Sequence, residues 1–326
     1  MPLQFTRDHV TRFPAEVIVN PANRNLRPGE GISKAIFETA GTARMRAACE
    51  AIGGCQPGNA VITPGFDLPA KWVVHAVGPL WLGGFHGEEA QLTACYRRAL
   101  ALAAEKNAAS IALPLLSTGA YSYPKEKSFR AALAVISEFL EKQEMDVYLS
   151  VFDPKAARPD PEDNAALLAA VSAQGRGLLD APEAASPVED ELPSLEDMLS
   201  GMMGDEPEEA PASEPVGGFL ARALELMKER NLDEKALCRR ANMSRRHYVA
   251  LKNGAEEPTR REALALCVGL GLTLEEARTL LTRTGHILSG RDRGDVIAAW
   301  CVARSWDIYR LNAALYAMGE EPLCFM

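Results

Sequence analysis

Two short stretches hold residues whose types and spacing suit the binding of an anion. In the first, Asn20 and Asn23 flank Pro21-Ala22, and Gly29, Glu30, Gly31, Ile32 and Ser33 follow closely. Asparagine amides both donate and accept, and an Asx turn ending the strand would also account for them. The glycines let main-chain amides approach a ligand without a Cβ in the way. The second stretch is Ser117-Thr118-Gly119-Ala120-Tyr121. Its two hydroxyls and its loop amides can donate to phosphate oxygens. A carboxylate at Asp8, beside His9, is an acceptor suited to an N–H donor, although capping of a turn would also account for it.

These residues need elements to hold them. Val17-Ile18-Val19 reads as the end of a strand buried on both faces, because consecutive β-branched residues suit a covered sheet. Asn20 to Asn23 breaks that strand, and Ile32, Ala35 and Ile36 start a helix. A strand, a Gly-bearing loop and a helix N-terminus expose free amides and the positive end of the helix dipole, so a pyrophosphate is the first ligand to expect. The pattern recurs at a strand over 111–116, the second loop, Pro124 and a helix over 129–140. Two such transitions facing one ligand fit the crevice of an open α/β sheet. Residues 60–79 predict two further strands, the second carrying His75 among apolar neighbours as a structural residue. Residues 92–106 predict a helix, and 147–152 predict a last strand ending at Phe152.

Three blocks carry a family resemblance: VNPAN with its Gly-bearing loop and AIFETAG, then CQPGNAVITPGFDLPAKWVVHAVGP (55–79), then ALPLLSTGAYSYPKEKS (112–128). In order and spacing they resemble the macrodomain of the MacroD type, whose members bind ADP-ribose and often remove it from proteins. The resemblance ends near 151–153. It implies a three-layer α/β/α domain with a mixed central sheet over residues 1–154. It places Asp8, with His9 and Phe152 nearby, at the adenine, although Phe152 could equally be core. Asn20 and Asn23 go to the sugar, the alternative being that Asn20 makes a turn while Asn23 faces the ligand. Gly29, Gly31, Ile32 and the loop Ser117, Thr118, Gly119, Ala120 and Tyr121 go to the phosphates and distal ribose. No cofactor and no metal are implied.

One departure bears on catalysis. The family commonly shows GGGGVDG, whereas this chain has Pro28-Gly29-Glu30-Gly31-Ile32-Ser33-Lys34. Ser33 stands where hydrolytic members carry an aspartate that sets up the attacking water, and a serine hydroxyl cannot act as that base unaided. Asn23 and Ser33 are therefore the catalytic candidates. Binding of ADP-ribose or ADP-ribosylated protein is expected ahead of mono-ADP-ribosyl hydrolysis or O-acetyl-ADP-ribose deacetylation, and enzyme activity stays open.

At 326 residues with 47% hydrophobic content, two domains are the natural expectation. No apolar run of about 18 residues is present, so no membrane contact is expected. The opening MPLQFTRDHVTRF is too polar for a secretory signal. The seven cysteines show no CxxC pair, and a cytoplasmic setting with reduced thiols follows. The net charge of -9 is uneven. Residues 1–152 hold 15 Lys and Arg against 14 Asp and Glu, residues 153–215 hold 3 against 16, and residues 216–326 hold 17 against 14. Residues 155–215 are expected to be an acidic, disordered linker, with one short helical face at Leu195, Met198, Leu199 and Met202.

From residue 216 the periodicity is helical throughout. LCRRANMS and RRHYVALKNG resemble a helix-turn-helix of the Xre/Cro repressor type. Tyr248 and Leu251 would then face inward, and Arg245, Arg246 and His247 outward, where base-edge contacts belong. Against DNA stand the opening Asp233-Glu234 and the module's small positive balance. Nucleic acid or protein remain the possible partners, and an ADP-ribose-responsive transcription regulator is the third functional reading.

Overall fold

The β-branched run at 17–19 becomes a central strand, and the sheet is ordered around it. The computed structural model describes residues 3–173, 218–282 and 285–323. Strands β1 (Leu3–Thr6), β2 (Val17–Pro21), β3 (Asn59–Pro64), β4 (Trp72–Val77), β5 (Ser110–Pro114) and β6 (Asp146–Ser150) form one sheet in the order β1-β6-β5-β2-β4-β3. Every neighbouring pair is parallel except β3 with β4, so the sheet is mixed, as expected.

Alternation of side chains sends the strands into two cores. Val17, Val19, Val74, Ile111, Leu113, Val147 and Leu149 pack on one face, with α3 (Glu88–Glu105) and α4 (Lys125–Lys142). Ile18, Val73, Val77 and Ala112 pack on the other, with α1 (Ile32–Ala40) and α2 (Thr42–Ile52). The result is three layers, α/β/α. The chain leaves β2 for α1, and its spatial neighbours β4 and β5 lie on opposite sides. That is the switch point at which open α/β sheets form a crevice.

The segment expected to be an acidic linker begins folded, which corrects the reading of residues 155–215. Residues Pro154–Ala157 make a 3-10 turn and Pro161–Ser172 form helix α5, whose Leu167 is fully buried. Pro161 in the first turn, with Glu162 and Asp163 beside it, favours a helix start, and the run that follows is apolar enough to pack. The expected helical face at 195–202 lies outside the described residues.

The second part of the chain is helical: α6 (Gly218–Glu229), α7 (Glu234–Arg240), α8 (Arg245–Lys252), α9 (Arg260–Gly269), α10 (Leu274–Thr282), α11 (Arg293–Val302) and α12 (Ile308–Ala317). The acidic opening of α7 has a local cause. Asp233 is the N-cap and accepts from the Ala236 N–H. Ser244 caps α8, and Thr259 with Glu262 makes a reciprocal capping box on α9.

The two parts share one apolar core, in which Leu3, Leu149 and Tyr123 of the α/β part join Phe219, Leu237 and Trp300 of the helical part. Polar contacts fix the register. The buried Asn242 amide accepts from the Leu3 N–H at 2.8 Å and donates to the Leu3 carbonyl at 3.0 Å. The Tyr316 hydroxyl donates to the Val151 carbonyl at 2.7 Å, and Lys235 pairs with Glu144 at 3.1 Å. The Arg239 guanidinium donates to the Glu141 carbonyl. The helical part therefore covers the β1 edge of the sheet, a margin that would otherwise offer unpaired main chain.

Candidate functional site

At the C-terminal ends of β2, β4 and β5 lies a cavity of about 410 Å³. Its lining includes Asn23, Gly29, Gly31, Ile32, Ser33, Ser117, Thr118, Gly119, Ala120 and Tyr121. Both sequence stretches thus meet at one place. A larger space of about 600 Å³ lies between α4 and the helical part. Its Asp307 caps α12 and its Arg239 is bound to the Glu141 carbonyl, so these two polar groups are already used for packing.

The first wall is the start of α1. Gly31 is its N-cap at φ 59, ψ −120, a conformation that side chains scarcely reach. Ser33, in the first turn, is buried, and its hydroxyl accepts from the Gly29 N–H at 3.2 Å. That bond ties the glycine loop to the helix. The second wall is the loop after β5. The Leu116 N–H donates to the Tyr96 hydroxyl at 2.8 Å, and the Ser128 hydroxyl donates to the Leu116 carbonyl at 2.9 Å. Ser117 then takes a positive φ of 63, and its buried hydroxyl has no protein partner among the described residues. A Cβ on Gly78 would stand 2.1 Å from that hydroxyl, so the two strands' ends meet closely at a glycine. At Gly119 an added Cβ would meet nothing within 4 Å.

Asn23 lines the cavity, as expected, but it also makes the turn that had been expected of Asn20. Asn20 is 1% exposed and lies behind the cavity, its amide within 3.0 Å of His75 Nδ1. The His75 ring reaches the Thr63 hydroxyl at 2.8 Å, and burial lowers its pKa to about 4, so it stays neutral. His75 is structural, as expected. Asn23 makes the local turn instead, accepting from the Asn25 and Arg27 N–H groups at 3.2 Å and donating to the Arg27 carbonyl, while still lining the cavity.

Asp8, His9 and Phe152 are outside that lining. They form a separate corner where β1 and β6 end. The His9 and Phe152 rings are 6.3 Å apart, and the Ser150 hydroxyl donates to the Asp8 carbonyl at 2.7 Å. Phe152 is 53% exposed, so it is not a core residue. Burial, and secondarily Arg12, lowers the His9 pKa. Sequence reasoning missed Ala76, Gly78 and Leu115, which also line the cavity. Their strands were foreseen, and the end of β4 beside β2 was the available signal.

In the helical part, Tyr248 and Leu251 are buried, and Arg245 and Arg246 are exposed. His247 corrects the expectation of an outward reader. Its Nε2 is 2.6 Å from Glu262 and its Nδ1 3.8 Å from Glu256, and its side chain is mostly covered. Among the described residues no cluster suits a metal ion, and no helix is long and apolar enough to cross a membrane.

The Macro domain family matches residues 19–132. A Macro domain-containing protein of Methanosarcina mazei is 40% identical over 151 residues, covering 46% of this chain and 80% of that protein. The O-acetyl-ADP-ribose deacetylase of Salmonella typhimurium is 40% identical over 162 residues, 48% of this chain and 90% of the enzyme. The Oceanobacillus iheyensis macrodomain, solved with ADP, is 33% identical and covers 47% of this chain and 85% of its own, at a TM-score of 0.45.

Proposed function

The chain belongs to the macro domain family, and from that premise we propose that residues 1–154 form a MacroD-type domain that binds ADP-ribose, free or attached to protein. The observation that carries this reading is a cavity at the strand ends walled on one side by a glycine loop at a helix N-terminus and on the other by the Ser117–Tyr121 loop. Main-chain amides and the positive helix end favour a pyrophosphate there. The adenine goes to the Asp8, His9 and Phe152 corner, and the distal ribose to Asn23 and Tyr121. The deacetylase activity named for the Salmonella relative supports the same ligand class.

Binding with slow turnover is favoured over efficient hydrolysis. Ser33 cannot supply a base, and its hydroxyl is engaged in holding Gly29. The eraser reading draws support from the 40% identity to a deacetylase and from Asn23 in the cavity. Residues 216–326 form the second, Xre/Cro-like unit. A transcription-regulator reading rests on helix order alone, and the docking of Lys235 and Arg239 onto the α/β part counts against it.

Calorimetry with ADP-ribose tests the binding, with a micromolar dissociation constant, about −8 kcal/mol, expected. Release of ADP-ribose from a mono-ADP-ribosylated acidic residue by parent, Ser33→Asp and Glu30→Ala then decides the chemistry. Slow release by the parent, faster in Ser33→Asp, supports the reader. Brisk release that survives Glu30→Ala makes this chain an eraser.

A further inference from the structure

The loop between β4 and α3 displays apolar side chains from a rigid frame. Leu80 is 51% exposed, Leu82 57% and Phe85 92%. A flexible loop would hide such groups, but this one is clamped. The buried Glu88 carboxylate accepts from the Leu82 and Gly84 N–H groups at 3.0 Å and from the His86 N–H at 2.6 Å. Burial works against that charge, yet the main-chain donors bring the Glu88 pKa down to about 2. Trp81 anchors the same loop from the other side. Its ring lies edge-on to Tyr123 at 4.8 Å, Lys127 sits over it at 4.9 Å, and a Cβ on Gly84 would be 2.8 Å from it.

The loop is continuous with the cavity. It starts two residues after Gly78, which lines the cavity, and the Trp81 N–H donates to the carbonyl of Tyr121, another lining residue, at 3.0 Å. Sheet order gives the direction of the ligand. With adenine at the ends of β1 and β6, the ligand crosses β5 and β2 toward β4, three strand spacings or roughly 14 Å from β6. The end remote from adenine, where a carrier polypeptide attaches, therefore points to the β4 exit, which is this loop.

We propose that Leu80, Leu82 and Phe85 dock the polypeptide that carries the ADP-ribose, and select targets with apolar side chains beside the modified residue. This rests on the ADP-ribose reading above. An exposed apolar patch held in place beside a ligand cavity is a contact surface for what the ligand is attached to. Its occupant needs apolar groups, because the displayed side chains offer nothing else.

The test uses the full chain and a Leu82→Ser, Phe85→Ser variant, with thermal unfolding as the check on folding. Three probes are titrated: free ADP-ribose, a mono-ADP-ribosylated peptide with Leu and Phe flanking the modified residue, and the same peptide with Ser and Gly flanks. Free ADP-ribose should bind parent and variant within about twofold. The parent should prefer the apolar-flanked peptide by about tenfold, and the variant should lose that preference. Equal binding of both peptides by the parent, or a preference that survives in the variant, overturns the proposal and leaves the ADP-ribose reading intact. A parent that ignores free ADP-ribose overturns that reading and this proposal with it. Self-association of the parent that the variant abolishes, seen by sedimentation, assigns the patch to a second copy and also overturns it.

Discussion

The α/β part and the helical part carry sequence motifs of similar clarity, and the folded chain treats them in opposite ways. In the α/β part the motif residues line a cavity, with the Ser117 hydroxyl unpaired by protein and Gly119 beside open space. In the helical part several of the polar groups are consumed. Asn242 is bonded to both main-chain groups of Leu3, His247 is held by Glu262, and Lys235 and Arg239 are spent on the neighbouring domain. A motif fixes the path of the backbone. Whether it serves as a site depends on which polar groups the rest of the chain leaves unpaired.

Substitutions can break or sharpen that contrast. Gly119→Val has the largest expected effect. ADP-ribose affinity should fall at least about a hundredfold, because the branched side chain enters the ligand's space. Thermal unfolding should not move, since nothing in the protein meets the new Cβ. A matching loss of stability would mean that Gly119 is structural. Asn242→Ala should show the reverse. It leaves the Leu3 N–H and carbonyl buried without partners, at a cost of about 2–4 kcal/mol in urea unfolding. A change under about 0.5 kcal/mol would show that the interface relaxes around the gap.

The third expectation is a pH dependence from His75. Its folded pKa, about 4, lies below the unfolded value of 6.5. Stability from its neutral form is complete above pH 6.5 and is lost as pH falls toward 4, at up to about 1.4 kcal/mol per pH unit. The difference in unfolding free energy between parent and His75→Gln should slope only in that window. The smallest effect belongs to Arg246→Ala, an exposed change worth under about 0.5 kcal/mol. A larger loss would show that this face of α8 is occupied.

Much of the α/β part was legible because its signals are local. A β-branched run marked β2, an apolar run marked β5, and glycine and hydroxyl residues marked both loops. What escaped depends on residues distant in sequence. The pairing of Asn20 with His75 spans 55 positions, and it is what passes the turn to Asn23. Ala76 and Gly78 reach the cavity only because β4 lies beside β2. The helix at Pro161–Ser172 was masked by the acidic composition around it, although Leu167 and its apolar neighbours were in plain view. In α8 the outward direction expected of His247 failed because its partner Glu262 arrives from the next helix.

The Asn242 bonds to Leu3 also set a timetable for synthesis. The two residues are 239 positions apart, and a ribosome adds roughly 5–20 residues per second. Strand β1 is therefore made roughly 12–48 seconds before the side chain that caps it. During that interval β1 presents open main chain, and a strand from a neighbouring nascent chain competes with Asn242 for it.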